Sequence, residues 1–101
     1  MEKLYSMVQG YFKRFPAGAE PFQMVTRLLE ECGEVAAEVN HFEGSGIKNI
    51  KHGAPRKVSL AGEIKNALTA LLQIAVYYSV QDELEQSIDD SLRRMREEKL
   101  L

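Results

Sequence analysis

Residues 21–39 read Pro-Phe-Gln-Met-Val-Thr-Arg-Leu-Leu-Glu-Glu-Cys-Gly-Glu-Val-Ala-Ala-Glu-Val, and the order of apolar and acidic residues in them decides the fold. Phe22, Val25, Leu28, Leu29, Cys32, Val35, Ala36 and Val39 follow the 3.6-residue period of a helix. Pro21 suits a first helical turn, because its missing N–H has no partner there anyway. The apolar stripe covers about half the helix circumference. Arg27, Glu31, Glu34 and Glu38 run along its edge, where charges can be half-buried against a neighbouring helix.

The remaining chain reads as three more helices. Leu4, Val8, Tyr11, Phe12 and Phe15 repeat at helical spacing over residues 2–15, and Pro16-Ala17-Gly18 ends that helix. Residues 43–58 carry three glycines, one proline and the basic cluster Lys48, Lys51, Arg56 and Lys57, which predicts a loop. It is longer than an antiparallel helix connection requires, and such loops are often functional. Ser59 is the expected N-cap of a third helix running to about Val80. From Ala67 to Tyr78 this helix is apolar nearly all round, so most of its sides must be covered. Three companion helices barely suffice, which predicts a dimer or tetramer burying Leu68, Leu71, Leu72 and Ile74 in a shared core. Asp82-x-x-Glu85 reads as an acidic capping box for a fourth helix, with Leu84, Ile88, Leu92 and Met95 inward and a charged end from Arg93 to Lys99. The fold class is therefore all-α: one domain over 1–101, a four-helix bundle completed by a second subunit.

Composition excludes several function classes. Hydrophobic content of 45% and charged content of 28% describe an ordinary globular domain. A net charge of −2 gives no general attraction to nucleic acid or to a membrane surface. The longest apolar run is interrupted by Thr69 and Gln73 and is too short to span a bilayer. Cys32 is alone, so no disulfide framework exists, and a cytoplasmic location is expected. Cys32, His41 and His52 are too few for a zinc site. Cys32 is expected to be a small core residue, and His41 to end the second helix.

The candidate chemistry lies in two acidic half-motifs. Glu31 and Glu34 share a face, as do Glu63 and Asn66 at the head of the third helix. Like charges at this spacing repel unless a cation or a proton sits between them. Carboxylates on facing helices can build a metal site. Without histidine, Mg²⁺ is favoured over iron, with Mn²⁺ also possible. A Mg²⁺ site with open positions suits phosphate chemistry, and the basic loop could meet a polyphosphate. The plainer reading is that Glu30, Glu34 and Glu38, at i, i+4 spacing, form a solvated face.

The stretch from Arg27 to Ala36, with Glu38-Val-Asn-His-Phe-Glu-Gly44 after it, closely resembles the MazG-like nucleotide pyrophosphohydrolases of the all-α nucleoside triphosphate pyrophosphohydrolase superfamily. The resemblance covers about residues 21–95. It implies Mg²⁺-dependent cleavage of a nucleoside triphosphate to the monophosphate and pyrophosphate, with active sites near subunit contacts. Carried over by position, Glu31, Glu34 and Glu63 match metal ligands, and Asn66 falls where the family has Asp. Glu30, Glu34 and Glu38 are the candidate catalytic carboxylates. Lys48, Lys51, Arg56, Lys57 and Lys65 are the candidate substrate-binding cations. The stretch that usually reads Glu-Glu-x-Gly-Asp is here Gly62-Glu63-Ile64-Lys65-Asn66. Asn66 offers a carbonyl oxygen but no charge, and Lys65 adds a cation. The alternative function is a catalytically degenerate nucleotide-binding or oligomeric interaction module. A related hydrolase of phosphoribosyl-ATP is a third, less favoured reading.

Overall fold

The computed structural model describes residues 1–45 and 53–101. Among them are four helices and no strand: α1 (Glu2–Arg14), α2 (Pro21–Phe42), α3 (Lys57–Tyr77) and α4 (Gln81–Glu97). Lys48 and Lys51 lie outside the described residues, as does the stretch 46–52 of the expected basic loop.

Breakers and caps fix the boundaries. Glu2 in the first turn of α1 and Lys13 and Arg14 in its last complement the helix dipole. Pro21 opens α2 as expected. The helix closes at Gly44, which takes φ 77°. There Ser45 N–H reaches the Asn40 carbonyl and Gly44 N–H the His41 carbonyl, the paired bonds of a Schellman cap. The same bond pair closes α3, from Val80 to Ala75 and from Ser79 to Val76, but with a non-glycine residue at φ 55°. Two expected caps are corrected. Ser59 lies inside α3, whose N-cap is Arg56, because nothing after Pro55 opposes helix and the first turn forms two residues earlier. The N-cap of α4 is Val80, and Asp82 makes no capping bond. The turn at Ser79 feeds the chain directly into α4 and leaves Asp82 within its first turn, where its charge still favours the dipole.

Helix α3 is the hub. α2 packs along it most extensively, α1 next, and α4 meets it only briefly. The core is small: Val8, Leu72 and Ala75, with Leu4, Tyr5, Phe12, Val76 and Leu84 around them. The arrangement is flat, 44 × 44 × 22 Å, with a radius of gyration of 16.7 Å. A compact chain of this length has about 13 Å.

The apolar stripe of α2 divides between two faces. Met24, Glu38 and His41 are buried, and Arg27, Leu28, Glu31 and Val35 are half-buried. Phe22, Val25, Leu29, Cys32, Ala36 and Val39, expected inside, are exposed. Their alternating three- and four-residue spacing is the 3.5-residue period of a coiled-coil seam. α3 behaves alike: Thr69 and Gln73 are buried, while Ile64, Leu68 and Leu71 are exposed. Of the four residues expected in a shared core, Leu72 is buried within the chain, Ile74 is half-buried and the other two face outward. Total accessible surface is 7527 Å². A compact chain of this mass exposes about 5,800 Å².

Candidate functional site

The buried face of α2 lies against α3, and their polar residues meet there. Arg27 donates from Nη1 to Gln73 Oε1 at 3.0 Å and from Nη2 to the Gly18 carbonyl at 3.2 Å. One guanidinium thereby fastens α2 to α3 and to the turn after α1. Gly18 takes φ 87°, a conformation that side chains disfavour and that presents this carbonyl to Arg27.

Beside this clamp is a cavity of about 460 Å³. Tyr11, Phe12 and Phe15 of the α1 end form an aromatic wall, and Ala17, Gly18 and Ala19 continue it. Arg27 and Glu31 line it from α2, and Asn66, Thr69, Ala70 and Gln73 from α3. A shallower groove beyond Arg27 is lined by Phe22, Gln23, Thr26 and Glu30.

The Glu31 carboxyl is perturbed. Burial pushes its pKa up from 4.5, and the charges of Glu63, Glu34 and Glu30 push it further; only Arg27 opposes them. Carboxylates from both half-motifs therefore act on one group. Glu31 and Asn66 lie in the cavity wall, Glu63 is half-buried, and Glu30 and Glu34 are exposed. Glu38 is 4% exposed, on the buried face of α2 one turn beyond Glu34. Arg56, Lys57 and Lys65 are exposed. Arg56 and Lys57 sit at the start of α3, about 14 Å along the axis from Asn66. His41 ends α2 as expected, but it is buried and its Nε2 bonds the Gly53 carbonyl. Cys32 is exposed rather than in the core, because the outward half of the stripe carries it.

Glu31, Glu34, Glu63 and Asn66 offer only oxygen donors, the chemistry that Mg²⁺ selects. Among the described residues no three His, Cys, Asp or Glu side chains group closely enough to hold a metal ion. Mg²⁺ commonly takes one or two carboxylates and completes its shell with water and phosphate oxygens, which this pairwise approach permits.

The sequence reading did not assign Tyr11, Phe12, Phe15, Thr69 or Gln73 to a site, and it took Arg27 only as an edge charge. The available signal was the spacing of Asn66, Thr69 and Gln73. These three polar residues, three and four apart, mark one face of an otherwise apolar helix. Comparison with protein-family models, curated proteins and solved structures found no match.

Proposed function

We propose that the chain is a Mg²⁺-dependent nucleoside triphosphate pyrophosphohydrolase of MazG-like type, acting as a dimer or tetramer. The observation that carries this reading is the approach of two helices' carboxylates to one cavity. Glu31 and Asn66 share its wall, and Glu63 acts on Glu31 across the α2–α3 contact. That combination favours a phosphate site over a merely solvated acidic face, which would not raise the pKa of Glu31 through burial.

Bound at these oxygens, Mg²⁺ would neutralise phosphate charge and acidify a water. In the reaction, a water oxygen bonds the α-phosphorus as its bond to the α–β bridging oxygen breaks, and pyrophosphate leaves in line. Glu34 and Glu30, both exposed, would accept the water's proton. Glu38, one turn beyond Glu34 on α2, is buried and would act behind the two exposed carboxylates as a supporting group. Lys65, Arg56 and Lys57, with Lys48 and Lys51, would supply cations to the polyphosphate, and Arg27 adds a charge within the cavity.

Self-association rests on the surface. The chain exposes roughly 1,700 Å² more than a compact monomer of its mass, and a standard interface removes about 800 Å² per partner. The seam of α2 with Ile64, Leu68 and Leu71 of α3 is the face a second copy would cover.

The test is pyrophosphate release from a nucleotide panel with and without Mg²⁺. Release that needs Mg²⁺ and falls with Glu34→Gln supports the hydrolase. Nucleotide binding without turnover supports the degenerate-module reading, which Asn66 favours because it removes one metal-binding charge.

A further inference from the structure

Two polar side chains in the cavity have hydrogen-bonding capacity left over, and each has only one sign of it. Gln73 is 6% exposed and gives its Oε1 to Arg27. Accepting from a guanidinium fixes the amide, so Nε2 is the end left for the cavity, and it can only donate. Nε2 makes no hydrogen bond within the described residues. Thr69 is 4% exposed and spends its hydroxyl hydrogen on the Lys65 carbonyl at 2.8 Å. Its Oγ1 can then only accept. Thr69 and Gln73 are four residues apart, so donor and acceptor are neighbours on one helix face. The aromatic residues Tyr11, Phe12 and Phe15 line the same cavity.

We propose that this cavity is a base-recognition pocket selecting a lactam edge, the adjacent C=O and N–H of a keto nucleobase. The base carbonyl accepts from Gln73 Nε2, and its ring N–H donates to Thr69 Oγ1. Uracil, thymine, guanine and hypoxanthine present that pair. Cytosine and adenine present the reverse, an amino donor beside an unprotonated ring nitrogen, and meet donor with donor and acceptor with acceptor. A buried site built for one pattern discriminates strongly against its reverse, because its polar groups are then left unpaired. The aromatic wall supplies stacking, which every base can use and which adds affinity without selectivity. Arg27 is a positioning residue, holding the Gln73 amide in one orientation. The assignment of the bound molecule as a nucleotide rests on the proposed hydrolase, but the pocket itself needs neither metal nor turnover.

The test therefore uses nucleosides and monophosphates without Mg²⁺, titrated by calorimetry. Uridine should bind at least about tenfold more tightly than cytidine, and inosine than adenosine, a difference of about 1.4 kcal/mol. Gln73→Glu replaces the donor by an acceptor, so that keto and amino bases each meet one matched and one opposed group, and should abolish the preference. Thr69→Val keeps the shape and should narrow the preference. The wild-type panel stands alone if either variant fails to fold. Equal binding of keto and amino bases, or a preference for cytidine and adenosine, overturns the proposal. Hydrolysis of triphosphates without base preference also overturns it while leaving the hydrolase intact. Selective binding with no hydrolysis of any nucleotide upholds the pocket and overturns the hydrolase.

Discussion

Leu29→Ala tests whether the outward seam of α2 is an interface. Leu29 is 67% exposed in the single chain, midway along the seam. Full burial of a leucine side chain contributes about 1.5–3 kcal/mol, so covering the exposed two-thirds contributes roughly 1–2 kcal/mol per copy. A two-fold interface contains the residue twice. The substitution should then weaken dimerisation by roughly 2–4 kcal/mol, or about thirty- to a thousand-fold in Kd. Leu100 is an internal control. It is 68% exposed, equal to Leu29, but lies beyond α4 and off the seam, so Leu100→Ala should leave Kd unchanged. Sedimentation equilibrium over a concentration series measures both variants, and the wild-type melting temperature should rise with concentration because association stabilises the folded form. A wild type that sediments as one chain at low micromolar concentration, or equal shifts for the two variants, refutes the reasoning.

Asn66→Asp restores a carboxylate where the resembled family has a ligand; Mg²⁺ affinity by calorimetry should rise, and pyrophosphate release should increase about tenfold, only ~1.4 kcal/mol of barrier. Glu31 has its folded pKa raised above 4.5, so the folded chain holds its proton more tightly than the unfolded chain does. Stability from this group is therefore present below pH 4.5 and lost as pH rises through the higher folded value. Glu31→Gln should remove that loss, giving a metal-free protein more stable at neutral pH and a flatter pH profile in urea melts. Ser79→Gly relieves a non-glycine residue at φ 55° in the α3 cap and should stabilise by about 0.5–1 kcal/mol in denaturant melts.

The helices were legible because local signals define them: periodicity in α1 and α2, Pro16 and Gly18 as a stop and Pro21 as a start. The N-caps of α3 and α4 were not, since a serine or aspartate near a helix start is favourable at several positions and the turn before it decides which one it occupies. The acidic half-motifs were legible as a pair sharing helix faces. The aromatic wall and the Gln73 amide were not, because residues from α1 reach them only through the packing of α1 on α3. The inward face of α2 was misread for a more general reason. Two interleaved stripes run along this helix, one through Met24, Leu28, Glu31, Val35 and Glu38, the other through Phe22, Val25, Leu29, Cys32, Ala36 and Val39. Hydrophobicity alone assigns the second to the interior. In the folded chain Gln73 of α3 accepts from Arg27, which borders the first stripe, and the more apolar stripe faces out. A helix pair that spends its inner face on polar recognition retains too small a core for its length. A second copy covering the outer seam would restore that missing burial, so the proposed pocket and the proposed dimer would follow from the same choice of helix face.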